Sequence, residues 1–288
     1  MIEQLAFTTD GRIRGKVDAA IERLKCFEPE DGYYVAFSGG KDSQCVYHLC
    51  KMAGVKFDAH YAVTSVDPPE LVQFIKEHYP DAWEGRHNSG ETMWSLIPKR
   101  RMPPTRIARY CCTELKETGG EGRVTVTGVR WAESNNRKSN QGVVTFPQMG
   151  KKGRAQVGEF TGNFTKTVRG GVVLNDDNDA NRRAVEHCYR THKTLINPIV
   201  DWLDEDVWEF LNNVAKVPHC CLYDEGFQRI GCIGCPMSTH KRQELQRWPK
   251  YRAMYMRSFE KMIKERENND LTNNWQTAEE VMQWWLSK

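Results

Sequence analysis

Apolar side chains recur at helical spacing at Ile13, Val17, Ile21 and Leu24, which predicts a helix over about 12–27. An unbroken apolar run, Tyr33-Tyr34-Val35-Ala36-Phe37, reads as a buried strand, and Gln44-Cys45-Val46-Tyr47-His48-Leu49-Cys50 as the first turns of a helix. Residues 57–64 read as a second strand, and Asp67-Pro68-Pro69-Glu70 opens another helix, with proline tolerated in the first turn. A further strand is read at 123–129. Strands alternating with helices predict an α/β domain, a Rossmann-like parallel sheet with helices on both faces. Residues 138–192 break this rhythm. They are rich in Gly, Asn, Asp, Lys and Thr, with β-like pieces such as Val143-Val144-Thr145-Phe146, and read as an insertion of hairpins and loops over the active face. The core resumes at Leu195-Ile196-Asn197-Pro198-Ile199, followed by a helix over about 204–214. Beyond Cys235 the pattern is helical. Leu245, Trp248, Tyr251, Tyr255, Phe259 and Met262 form an aromatic stripe that reads as a packing surface, and Thr277 with Glu280 makes a capping box. The expected division is a nucleotide-binding domain over 1–235 and a C-terminal helical region over 236–288 packed on it.

Between the first strand and its helix lies Ser38-Gly39-Gly40-Lys41-Asp42-Ser43. A strand that turns into a helix through two glycines leaves backbone N–H groups aimed beyond the strand end. The glycines allow a tight turn and close approach of a phosphate, Ser38 and Ser43 add hydroxyls, and Lys41 adds a positive charge. Ligands of such sheets bind at the carboxyl ends of strands, where this turn lies. The loop lacks the Gly-x-x-x-x-Gly-Lys-Ser/Thr spacing of a Walker A motif. It resembles instead the PP-loop of the ATP pyrophosphatases, which cut ATP to AMP and pyrophosphate.

The 288 residues carry a formal charge of +3, too little to announce a nucleic-acid binder from charge alone. Basic residues do cluster, at Lys99-Arg100-Arg101 with Arg106 and Arg109, at Lys151-Lys152-Gly153-Arg154, and at Lys241-Arg242. No apolar stretch approaches the roughly 20 residues of a membrane span and no signal-peptide core is seen, so a soluble, cytoplasmic chain is expected. Of ten cysteines, two pairs are adjacent, Cys111-Cys112 and Cys220-Cys221, and adjacent cysteines are poor disulfide partners. Cys232-Ile233-Gly234-Cys235 has the spacing that places two thiolates on one metal or cluster, though redox motifs share it. Cys26, Cys45, Cys50 and Cys188 read as core or surface thiols.

These motifs together resemble the phosphoadenosine-phosphosulfate (PAPS) reductase family over about 30–240. The matching residues are the 38–43 loop, Arg109-Tyr110-Cys111-Cys112 with Leu115-Lys116, and Thr127-Gly128-Val129-Arg130 with Glu133, Ser134 and Arg137. Asn197-Pro198-Ile199, Asp201-Trp202, Asp206-Val207-Trp208 and Gly231-Cys232-Ile233-Gly234-Cys235-Pro236 continue the match. The resemblance implies an adenine-nucleotide α-hydrolase-like fold and a [4Fe–4S] cluster on Cys111, Cys112, Cys232 and Cys235. Cys220 is a rival for one member of the tandem pair, because neighbouring side chains diverge. The sequence departs from the sulfonucleotide reductases in lacking their C-terminal Glu-Cys-Gly, Cys235 being its last cysteine. That departure shifts the expectation to relatives that transfer sulfur, the ATP-pyrophosphatase subunits of DNA phosphorothioation systems first and tRNA thiolation enzymes next.

On that reading the cofactors are ATP, Mg²⁺ and the cluster. Residues Ser38, Gly39, Gly40, Lys41, Asp42 and Ser43 would hold the β,γ-phosphates. Lys41 would neutralise the departing pyrophosphate, with Ser43 beside it, and Asp42 would hold Mg²⁺. Arg130 and Arg137, after Gly128, would grip the α-phosphate or the acceptor, or else form surface ion pairs, for example with Glu133. Lys116 could serve the same acceptor. The expected partners are a cysteine desulfurase, other modification-complex subunits and a nucleic-acid acceptor. The alternatives are a sulfonucleotide reductase whose nucleophile comes from elsewhere, and a nucleotide-sensing scaffold without turnover.

Overall fold

A computed structural model describes residues 11–83, 90–272 and 274–287. Of the described residues, those within 1–61, 77–84 and 120–220 form one compact unit, and those within 62–76, 85–119 and 221–288 form another.

The first unit is built on a seven-stranded sheet. Its strands are β1 (Tyr33–Phe37), β2 (Phe57–Tyr61), β3 (Val124–Val126), β4 (Val144–Phe146), β5 (Thr165–Lys166), β6 (Val172–Leu174) and β7 (Thr194–Ile196), in the order β2-β1-β3-β7-β4-β6-β5. The first four in that order are parallel, as the alternation of strands and helices predicts. The other three are not. β4 runs antiparallel to β7, β6 to β4, and β5 to β6. The sheet is therefore mixed, and the 138–192 segment extends it rather than forming hairpins and loops alone. That segment also contributes the helices Lys151–Thr161 and Asp179–Cys188. Gly153 and Gly158 obscure the first of these helices in the sequence, since glycine is a poor helix former. Gly153 has a packing reason: an added Cβ would lie 2.7 Å from Met149 Cγ and 2.9 Å from His192 Nε2.

Helices flank this sheet. Helix α1 (Gly11–Cys26) buries Ile13, Val17, Ala20 and Leu24, the predicted stripe. It also pins the segment after β7. Arg23 meets both oxygens of Asp201, at 2.8 and 3.0 Å, and Lys16 and Arg12 pair with the fully buried Asp206. Helix α2 (Lys41–Ala53) starts at Gly40 and ends at Gly54 in the left-handed region (φ 71°), which supplies its C-cap without a Cβ penalty. The helix read over 204–214 is α-helical over Asp204–Glu209 and widens to a π turn over Phe210–Ala215.

The second unit is helical. Its helices Met93–Arg100, Tyr110–Leu115, Lys241–Arg247, Pro249–Glu267 and Ala278–Ser287 enclose a core containing Leu96, Ile97, Tyr255, Phe259, Met262, Val281 and Trp285. Of the aromatic stripe, all but Tyr251 is buried, so it packs as expected. Thr277 Oγ1 accepts from Glu280 N at 3.2 Å, while the Glu280 carboxylate reaches Gln276 N at 2.7 Å, one residue beyond the predicted box. Among the described residues no helix is long and apolar enough to cross a membrane.

Candidate nucleotide cradle and cysteine cluster

The spatial order β2-β1-β3 places a topological switch point between β1 and β3, where ligands of open α/β sheets bind. Loop 38–43 leaves β1 there. Gly39 takes φ 71°, turning the chain so that Lys41, Asp42 and Ser43 form the first turn of α2, whose N–H groups have no intrahelical partner. Ser38 and Ser43 brace the loop from inside. The Ser43 hydroxyl donates to Gly40 O at 2.8 Å, and Ser43 Oγ accepts from Ser38 N at 3.2 Å and from the Ser38 hydroxyl at 3.1 Å.

The loop after β3 comes up beside it. Thr127 N donates to Ile196 O at 2.9 Å and its hydroxyl donates to Asn197 Oδ1 at 2.5 Å, which ties the two strand ends together. Gly128 lies against the start of α2. A Cβ there would stand 2.8 Å from Asp42 C and O and 3.0 Å from Asp42 Cβ. Only glycine permits that approach, which gives Gly128 a physical role that the motif alone did not supply.

Arg130 follows, and it is 2% exposed rather than a surface residue. Its Nε donates to Asp42 Oδ1 at 2.6 Å, Nη2 to Asp204 Oδ1 at 2.5 Å, and Nη1 to Trp202 O at 3.3 Å. Burial disfavours its charge, but Asp42 and Asp204 more than offset this and raise its pKa. The Lys41 ammonium stands 3.6 Å from the same Asp204 Oδ1, with a side chain 6% exposed. Two cations from two different strand ends thus converge on one anionic oxygen. Asp204 was not singled out in the sequence. It sits in the acidic run Asp204-Glu205-Asp206, where nothing in the spacing marks one carboxylate from the next. The ion pair with Glu133 suggested for either arginine belongs to Arg137; Glu133 meets Arg130 only at its backbone N. A cavity of about 300 Å³ at Phe27, Glu28, Glu186 and Tyr189 shares no residue with this cradle.

The cysteine motifs meet in the second unit. The Cys-x-x-Cys turn is seated on the aromatic stripe. Ile233 N donates to Val66 O at 2.7 Å, Tyr255 donates to Ile233 O at 2.9 Å, and Gly234 N donates to a Glu244 oxygen at 2.8 Å. Gly234 takes φ 71°, and a Cβ would stand 2.9 Å from the Trp285 ring. Cys112 and Cys111 hydrogen-bond to each other. The Cys111 thiol is pushed up by that bond, by burial and by the charges of Cys112, Cys232 and Cys235. Cys112 moves the other way. Its pKa is lowered by the bond from Cys111 and by Arg109, whose Nη2 lies 3.3 Å from its sulfur. Burial raises Cys232, and Lys116 beside it opposes the rise. Thr64 Oγ1 stands 3.5 Å from Cys232 Sγ and donates to Asp67 at 2.7 Å, a contact the sequence did not announce.

The four thiols therefore sense one another, yet among the described residues no three His, Cys, Asp or Glu side chains are gathered tightly enough to hold a metal ion. Cys220 is buried, and it closes the first unit while the other four cysteines belong to the second. All ten cysteines are free thiols. The basic run 99–109 does not form one patch. Lys99 pairs with Glu91 and Arg100 with Glu114, while Arg106 donates to Pro236 O and Arg109 turns to Cys112.

The pattern of the phosphoadenosine phosphosulfate reductase domain matches residues 32–238. An uncharacterized protein of Methanocaldococcus jannaschii is 25% identical over 236 residues, covering 75% of this chain and 40% of that protein. A tRNA-cytidine(32) 2-sulfurtransferase of Geotalea uraniireducens is 28% identical over 123 residues, 40% of this chain and 46% of that one. An adenosine 5′-phosphosulfate reductase of Allochromatium vinosum is 40% identical over 40 residues, 14% of this chain and 15% of that one. The chain spans less than half the length of each of these relatives.

Proposed function

Because the chain belongs to the phosphoadenosine phosphosulfate reductase domain family, we propose that it is an enzyme that holds an adenine nucleotide at loop 38–43 and breaks it beyond the α-phosphate. The observation that carries this reading is the convergence of Lys41 and Arg130 on the single oxygen Asp204 Oδ1. A nucleotide oxygen arriving there would take over both cations, with the N–H groups of 41–43 as further donors. Lys41 would then stabilise charge on the departing group, and Arg130 would hold the α-phosphate bidentately. Asp42, oriented by Arg130, could hold a Mg²⁺ together with the nucleotide's own oxygens, the usual binding mode of that ion. Ser43 and Ser38 would keep the loop's shape.

The identity of the departing group separates two readings. The family and the short match to an adenosine 5′-phosphosulfate reductase support a phosphosulfate, released as sulfite when two thiols supply two electrons and end as a disulfide. The match to a sulfurtransferase and the Lys41-Asp42-Ser43 loop support ATP, released as pyrophosphate, with sulfur then moved from a partner desulfurase to a nucleic acid, as in DNA phosphorothioation. The first reading has the better support. A protein prepared without oxygen, given adenosine 5′-phosphosulfate, its 3′-phosphate or ATP with a dithiol, tests both. Sulfite release selects the reductase and pyrophosphate release selects the sulfurtransferase. An inert protein that still binds nucleotide would leave a non-catalytic sensor.

The cysteines fit an iron–sulfur cluster in kind: four thiols within electrostatic reach, with Arg109 and Lys116 to offset thiolate charge. Cys111, Cys112, Cys232 and Cys235 would hold it, and when bound it would supply polarising charge or sulfide. Closing on a cluster requires the four thiols to draw together.

A further inference from the structure

Between Gln141 and Leu174 the chain carries five basic residues and a single carboxylate, Glu159, so its whole net positive charge is concentrated in this segment. The fold brings four of the five to one place. Lys151 and Lys152 open the helix Lys151–Thr161 and are exposed, as are Lys166 on edge strand β5 and Arg169 in the β5–β6 turn. The fifth, Arg154, joins the two elements, donating to Met149 O and, at 3.0 Å, to Gly170 O. Among the described residues, none of the four exposed cations takes part in an ion pair. The turn is closed by three hydrogen bonds. Thr167 N donates to Gly171 O at 3.0 Å, Gly170 N to Thr167 O at 3.0 Å, and Gly171 N to Thr167 Oγ1 at 2.8 Å. At its tip stands Val168, an apolar side chain in a residue that is 95% exposed. A hairpin that holds a bare valine between Lys166 and Arg169 has no packing reason to do so.

We infer that the β5–β6 hairpin with the start of the Lys151–Thr161 helix is an arm that docks on duplex DNA, its four cations on the phosphates and Val168 in the groove. Because β6 pairs with β4 on its other side, the part free to enter a groove is the turn 167–171 at the sheet edge. A turn of that size fits the major groove of B-form DNA, whereas the major groove of A-form RNA is too deep and narrow to receive it. Charge complementarity names the backbone, and the size of the exposed turn against the groove names the duplex. An enzyme acting only on a small sulfonucleotide needs no such arm, so the inference goes beyond the nucleotide reading and stands apart from it.

The test is fluorescence anisotropy of a labelled duplex of about 20 base pairs, from 50 to 200 mM salt. Four phosphate contacts predict a log–log slope near −3.6 and a loss of affinity of about 10²-fold over that range. Replacing Lys166→Gln and Arg169→Gln together should lower the slope by about 1.8 and leave a loss of about tenfold. Val168→Ala should weaken binding without altering the slope, and Arg183→Gln with Lys264→Gln, exposed cations elsewhere, should alter neither. Thermal melts of each variant check that it folds. No binding at 50 mM salt, an unchanged slope in the Lys166/Arg169 variant, or equal binding of duplex RNA would overturn the inference. Nucleotide turnover measured without DNA should be unchanged in the same variants. A wild-type protein that binds DNA through this arm but consumes no nucleotide would overturn the enzymatic reading and leave this one standing.

Discussion

Replacing Gly128 by alanine adds one methyl group against the peptide that starts α2. The new Cβ would lie 2.8 Å from Asp42 C and O, about 0.7 Å inside ordinary carbon contact. The obstacle is backbone, so no rotamer change relieves it. Either the end of β3 retreats or the first turn of α2 lifts. Overpacking of this kind costs about 1–3 kcal/mol, offset by about 0.4–1 kcal/mol because alanine restricts the unfolded chain. The melting temperature should fall by about 2–8 °C. The functional effect should be far larger than the stability effect, because the displaced turn carries the N–H groups of residues 41–43, and a misplacement near 1 Å can cost about 10²-fold in rate. Calorimetric titration with ATP and with adenosine 5′-phosphosulfate, run beside thermal melts, separates the two. A folded Gly128→Ala protein with wild-type nucleotide affinity and turnover would show that the cradle is not where nucleotide binds.

Lys41→Ala should fold normally and lose on the order of 10²-fold in product release, measured by the AMP or adenosine bisphosphate formed, since a positioned donor to a developing charge is removed. Asp204→Asn withdraws the carboxylate that Lys41 and Arg130 share; nucleotide affinity without Mg²⁺ should rise several-fold, and a fall would refute its role as a stand-in for phosphate. In a protein made anaerobically, Cys232→Ser should lose iron and sulfide while Cys220→Ser keeps them; loss in the latter would place Cys220 among the ligands. His48 is held neutral, its pKa lowered to about 4 by burial and Lys51, with Nε2 3.0 Å from the Tyr79 hydroxyl. The unfolded chain then binds the extra proton first, so this contribution, on the order of 3 kcal/mol, is present above pH 6.5 and lost as the pH falls toward 4. His48→Gln should flatten the denaturation midpoint across that window; an unchanged slope would mean His48 is not the group responsible.

The sequence by itself determined the elements whose signal is local. The α1 stripe, the buried run of β1 and the glycine turn into α2 each follow from side-chain spacing or backbone freedom within a few residues, so loop 38–43 was legible as a strand-to-helix turn with unpaired N–H groups. The aromatic stripe was likewise legible as packing, though not as the seat of the Cys232–Cys235 turn. Tertiary structure decided what depends on contacts far apart in the chain. Strands of three residues such as β4 and β6 give no period to read, and only the pairing of β4 with β7 and of β6 with β4 makes them part of the sheet. Arg130 and Asp42 are 88 residues apart, and a spacing pattern cannot tell a buried guanidinium from a surface one. Asp204 is indistinguishable from Asp206 in sequence, yet the fold turns Asp206 inward onto Lys16 and Arg12 and leaves Asp204, 55% exposed at its side chain, on Lys41 and Arg130. Local geometry is encoded locally, but burial and charge pairing belong to the whole assembly of elements. That is why the loop could be read from the chain and its counter-charges could not.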